Sequence, residues 1–207
     1  MKNKIFYKYR GFNSCNDHIS DIFDHSRLYM SSYKEQNDFE EGDYYFSGDN
    51  NDRIRAILEE LRNLKSPYRI CSMSKNKGLN RLMWGHYANG GNGFLIKFKL
   101  GNKEEEFDES KFSLRKVSYS NKFLLNDNEQ RQVDRELAEK ILSNKHTAWK
   151  YENEYRVLTQ YESTTYCPIT IQKVIFGPKV KMNDIVSHIE NLCRSKNIKV
   201  LKFNEKF

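Results

Sequence analysis

The segment NDRIRAILEELRNLK, residues 51–65, constrains the fold most: Ile54, Ile57, Leu58, Leu61 and Leu64 recur at helical spacing behind an Asn/Asp cap. A helix with one apolar stripe has to bury it against another element. The rest of the chain offers strand-like material for that purpose. KIFYKYR, RLYMSSY, YRICSMS, GFLIKFKL, LRKVSYS and NEYRVLTQY are short and rich in aromatic and β-branched residues, and Gly, Asn or Ser punctuates them. Two further stretches have helical periodicity: DHISDIFDHS, with Ile19, Ile22 and Phe23 inward, and residues 129–148, with Val133, Leu137, Ile141 and Leu142. The chain closes on a strand (IQKVIFG), a helix (MNDIVSHIENLCRSKN) and a strand (IKVLKF). Helices and strands mixed in this way predict an α+β fold, taken as a single domain over 1–207.

The apolar share is 38 % of 207 residues, low for a globular chain, but 13 Tyr, 13 Phe and 2 Trp supply bulky core material that disordered chains lack. Cys15, Cys71, Cys167 and Cys193 form no C-x-x-C pair, which argues against a zinc knuckle or a dense disulfide framework and suits a reducing cytoplasm. The opening MKNKIFYKYRGF has no apolar core of a leader, and no run reaches the ~20 apolar residues of a membrane span. A soluble, cytoplasmic protein without a membrane partner is expected. The net charge of +7 favours polyanionic partners, nucleic acid first among them, although a generally basic, Lys/Asn-rich composition explains it equally well.

Four groupings stand out chemically. In Tyr9-Arg10-Gly11 the glycine permits close backbone approach and the guanidinium suits a phosphate. Tyr29-Met30-Ser31-Ser32 places an aromatic ring and hydroxyls on a strand whose alternate residues share a face, a pattern that ordinary cross-strand packing also produces. LMWGHYANGGNGF sets Trp84, His86 and Tyr87 before three glycines; it is neither a Walker loop nor a G-x-G-x-x-G fingerprint, and His86 reads as a general base or as a packing residue. In WKYENEYRV, Glu152 and Glu154 sit two apart, on one side of a strand if alternation holds, framed by Tyr151, Tyr155 and Arg156. Two like charges so close are costly unless exposed, paired or used. No metal site is suggested.

Taken in order, these motifs resemble the ADP-ribosyltransferase superfamily: aromatic-Arg-Gly on a first strand, Tyr-x-Ser-Ser on a second, Glu-x-Glu opening a late one. YKYRGF, LYMSS, QND, LMWGHYANGGNGF and WKYENEYR are similar, across most of the first 160 residues, to a bacterial domain family of unassigned function associated with abortive infection and phage defence. Phe39 follows Asp38 where that family carries Asn-Asp-Pro-Phe. The resemblance implies a split, mostly antiparallel sheet with flanking helices and NAD, as substrate, in the cleft between its halves. It further implies that Glu154 stabilises a ribosyl cation and Glu152 orients or deprotonates an acceptor. Arg10 would hold a ribose or phosphate oxygen of NAD, backbone near Gly11 the nicotinamide amide, Ser31 would support Glu154, and Tyr29 would stack on nicotinamide. Tyr9, Ser32, Trp84 and His86 would line the same site. RNA is the favoured acceptor ahead of DNA or protein, and an antitoxin or chaperone would restrain a toxin of this kind. The competing readings are a metal-independent ribonuclease using His86 or His146 with a lysine, and a non-catalytic nucleic-acid-binding module.

Overall fold

The computed structural model describes residues 4–12, 16–35, 42–46, 52–77, 80–102, 105–126, 129, 132–161 and 164–203. Asp38, and with it the expected loop departure, lies outside them, as does Cys15. Helices and antiparallel-dominated strands are mixed in one chain, the α+β class that the sequence patterning predicts. The chain falls into two compact units, each made of discontinuous segments: Met1–Tyr29 with Met73–Asp108 and Tyr166–Phe207, and Met30–Ser72 with Glu109–Thr165.

In the first unit, β1 (Phe6–Gly11) pairs antiparallel with β6 (Gly93–Leu100), and β6 with β12 (Tyr166–Phe176). β12 carries β13 (Lys199–Lys202) in parallel, and the α5 helix (Asp184–Ser195) provides the crossover that a parallel pair needs. Asn183 caps that helix by accepting from the Val186 amide at 2.9 Å. One sheet face buries Phe6, Phe94, Phe98 and Phe176, with Phe12 and Phe23 of the adjoining loop and of α1 (Asn16–Phe23) packed on Phe94 at 5.5 and 5.2 Å. On the other face Trp84, from α3 (Arg81–Tyr87), meets Tyr9 edge-on at 5.2 Å.

The glycine-rich bend after α3 does structural work. A Cβ on Gly93 would stand 2.2 Å from the Arg10 carbonyl oxygen, so the β1–β6 approach requires glycine there.

In the second unit β5 (Arg69–Ser74), whose last two residues belong to the first unit, pairs with β3 (Ser31–Ser32). It neighbours β11 (Glu154–Thr159), which pairs antiparallel with β7 (Ser113–Lys116). The expected single strand RLYMSSY is broken at Met30. β2 (Arg27–Tyr29) pairs with β12, whereas Ser31 and Ser32 pair with β5. The short strands β4 (Tyr45–Phe46) and β9 (Leu124–Leu125) pair in parallel, and α2 (Asp52–Lys65) lays Ile57 and Leu61 against Leu137 and Ile141 of α4 (Arg135–Ile141).

α4 is much shorter than the amphipathic run 129–148 suggests. Asp134 caps it, accepting from the Leu137 amide at 2.9 Å, and Leu142 ends it. Asn144–Lys145 leave as a short strand, β10, parallel to β8 (Ser118–Tyr119), and Thr147–Glu152 wind into a 3-10 turn capped by His146. Glu139 of α4 is a buried carboxylate that accepts from Ser113, Arg115, Arg135 and Tyr68 at 2.6 to 3.2 Å. Burial raises its pKa, but those hydrogen bonds and the Arg115 charge outweigh burial and hold it ionised.

Candidate functional site

β11 opens on Glu154, and the chain reaches it through Asn153 in a left-handed conformation, φ 45°. Asparagine tolerates that region better than most residues. Glu152 therefore ends the 3-10 turn instead of alternating with Glu154 on one strand, and the left-handed residue between them brings the two carboxylates together. They converge on Lys145, whose Nζ donates to Glu152 Oε2 at 2.7 Å and to Glu154 Oε2 at 3.3 Å. Arg156, two residues along β11, clamps Glu154 from Nε at 2.7 Å and from its second nitrogen at 3.3 Å. Its remaining nitrogen donates to the Leu142 carbonyl.

All four charged side chains are buried, Glu154 at 4 % exposure and Arg156 at 0 %. Two acids against two bases leave the cluster formally neutral, the condition under which buried charge is tolerated.

Burial by itself would raise the Glu154 pKa. The Arg156 and Lys145 charges, with hydrogen bonds from Arg156 and Ser72, outweigh it and hold the carboxyl far below the usual range. For Lys145 burial lowers the pKa, and the two glutamates more than restore it, so the ammonium stays charged. The Tyr119 hydroxyl accepts from the Glu154 amide at 2.9 Å, and burial pushes that phenol up to about 12. The Lys145 ammonium lies 4.7 Å from the centre of the Trp149 ring, a cation–π contact.

An ionised, dehydrated carboxylate at a fixed strand end can stabilise a developing cation, and a second carboxylate bridged to a lysine can accept a proton.

The expected residues divide between the units. Glu152, Glu154, Ser31 and Ser32 belong to the second, while Tyr9, Arg10, Gly11, Tyr29, Trp84 and His86 belong to the first. Within the first, Tyr9 and Trp84 come together as buried packing partners, and Arg10 and Gly11 face Phe94 and Gly93 across β1–β6. Tyr29 stacks on His18 at 4.3 Å, so one face of its ring is already covered. His86 is exposed beside Tyr87. His146 accepts from the Ala148 amide through Nδ1 at 3.2 Å, which takes up one ring nitrogen.

Ser31 pairs with Ile70, and the serine hydroxyl seen against Glu154 is that of Ser72, from β5. Ser72, Tyr119 and Lys145 were not singled out from the sequence. Among the described residues no group of three or more His, Cys, Asp or Glu is placed to hold a metal ion, and no helix is long and apolar enough to cross a membrane.

Fold and cluster together define an α+β protein whose second unit holds a buried Glu-Lys-Glu-Arg tetrad. A family model described as a protein of unknown function (DUF2971) matches residues 83–157, a span that contains Tyr119, Lys145, Glu152, Glu154 and Arg156. The match is narrower than the resemblance expected over most of the first 160 residues, and it leaves Arg10, Tyr29, Ser31 and Ser72 outside. No curated protein and no solved structure matches the chain.

Proposed function

We propose that the protein transfers ADP-ribose from NAD to a nucleic-acid acceptor, with Glu154 and Glu152 as the working pair. The observation that carries this reading is the state of Glu154: a carboxylate held ionised by Arg156, Lys145 and Ser72 with a second glutamate beside it. In the reaction the bond between ribose C1′ and the nicotinamide nitrogen breaks, and nicotinamide leaves with the electron pair. Glu154 stabilises the oxocarbenium-like ribose, as a carboxylate does in glycoside cleavage generally. An acceptor nucleophile then bonds to C1′ and gives its proton to Glu152, whose bridge to Lys145 favours the ionised, receptive form. For this, Lys145 or Arg156 yields one Glu154 oxygen to the ribose.

Incubation with NAD labelled in the adenylate moiety, plus RNA and DNA, tests the reading: label enters nucleic acid, nicotinamide is released in equal amount, and Glu152→Gln lowers transfer more than it lowers nicotinamide release. Absence of both label transfer and nicotinamide release from folded wild-type protein would sink it.

A specific observation favours a second reading, a non-catalytic binding module. The tetrad is buried and balances its own charge, so it is complete as a scaffold without a substrate. That reading is favoured if nucleic acid binds while NAD neither binds nor is consumed.

A further inference from the structure

Far from the tetrad in sequence, the sheet of the first unit carries a row of like charges that the linear pattern does not reveal. Lys97 of β6 is directly opposite Lys173 of β12, Lys173 is directly opposite Lys199 of β13, and Tyr7 of β1 faces Lys97 from the other side. Neighbouring strands are about 4.8 Å apart, so the backbone positions of three lysines that share one side of the sheet fall within roughly 10 Å. Lys199 is exposed, and Lys97, Lys173 and Tyr7 are half-buried. No carboxylate pairs with any of the three lysines among the described residues.

Burial and the adjacent Lys199 and Lys97 charges hold the Lys173 ammonium below the ordinary lysine range. Like charges directly opposite one another destabilise a sheet, so this arrangement opposes folding and concentrates positive potential at one place. Alternation along β1 and β6 puts the row on the face where Trp84 covers Tyr9, and the aromatic core formed by Phe94, Phe98 and Phe176 occupies the opposite face.

We propose that this row is a binding surface for single-stranded nucleic acid, Lys97, Lys173 and Lys199 pairing with successive phosphates and Tyr7 offering its ring to a base. Charge complementarity selects a polyanion. The row crosses four strands and ends in an aromatic, with Lys99 two residues beyond Lys97 on the same face, which suits a flexible strand whose bases are free to stack. The surface deepens the proposed transfer reaction by naming what would hold a nucleic-acid acceptor. Its test contains no NAD, so failure of one idea is distinguishable from failure of the other.

The experiment is fluorescence anisotropy of short labelled single-stranded RNA and DNA across a salt series, with a duplex of the same sequence and phosphatidylserine vesicles as competing probes. The full chain carrying Lys97→Gln, Lys173→Gln and Lys199→Gln is compared with a control of equal net charge, Lys116→Gln, Lys122→Gln and Lys150→Gln, all exposed positions of the second unit. The row variant should bind single strands about tenfold or more weakly and flatten the log–log salt slope by about 2, because each single-strand phosphate contact contributes roughly 0.7. The control should keep most of the affinity. Melting of the row variant at or above the wild-type temperature, as relief of repulsion predicts, rules out unfolding as the cause. Equal losses in the two variants, no single-strand binding by wild type, tighter binding of the duplex, or a row-dependent affinity for vesicles alone would each overturn the proposal.

Discussion

Removing the Glu154 charge while keeping its shape, as Glu154→Gln does, tests the tetrad as a unit. The substitution leaves the Arg156 guanidinium, at 0 % exposure, facing a neutral amide, and leaves Lys145 with Glu152 alone. Breaking a buried pair on one side costs about 3–5 kcal/mol, because the surviving charge is stranded away from water. Arg156→Met strands the opposite charge and should cost a similar amount. The double variant removes both ends of the pair, so its loss should fall short of the summed single losses by about 1–3 kcal/mol.

For a chain of this length 1 kcal/mol moves the melting temperature by about 2–4 °C, so each single variant should melt roughly 6–20 °C lower. Urea denaturation at neutral pH measures the free energies. Acid adds an independent check whose sign follows from the depressed Glu154 pKa. The stabilisation it reports is complete above the unfolded-state glutamate value of about 4.3, and it is lost as pH falls from there toward the folded-state value. Wild type should therefore lose up to about 1.4 kcal/mol per pH unit more than the double variant over that range. Strictly additive single losses, or identical acid profiles for wild type and double variant, would refute the reading of these residues as one coupled cluster. Activity of Glu154→Gln is interpretable only below its own melting temperature.

Much of the scaffold is legible in the chain because its local signals and its packing agree. α2 and α5 carry one apolar stripe each, and β1, β5, β6 and β11 fall within a residue or two of their expected spans. The run 129–148 misleads because its periodicity persists past Leu142, where pairing of Asn144–Lys145 with β8, a contact distant in sequence, overrides helix propensity.

That same pairing is why Lys145 escapes a sequence reading. Its side chain reaches Glu152 and Glu154 only because Asn144 and Lys145 lie opposite Ser118 and Tyr119. Arg156 is easier to see, since residues two apart on a strand share a face, and it stands two beyond Glu154. Ser72 and Ser31 are equally plausible by composition. The choice between them depends on strand order, with β11 next to β5, and strand order is not written in either segment. The glycines of ANGGNG match no phosphate-binding fingerprint in sequence, and the space beside Gly93 is filled by the backbone of β1.

Gly93→Ala puts a methyl carbon within 2.2 Å of the Arg10 carbonyl and should cost about 1–3 kcal/mol in urea denaturation; a loss below the measurement error would mean that β1 and β6 can separate there freely. Glu139→Gln tests the second buried carboxylate. Arg115 and Arg135 both pair with it, yet both are partly exposed and Arg115 keeps Glu136 as a partner, so water and Glu136 compensate much of the loss. The cost should therefore fall short of the roughly 3–5 kcal/mol assigned to Glu154→Gln, even though Glu139 has more hydrogen-bond donors. A Glu139→Gln variant less stable than Glu154→Gln in the same urea titration would reverse that ranking, and would show that the number of hydrogen bonds to a carboxylate outweighs the burial of its cationic partners in this protein.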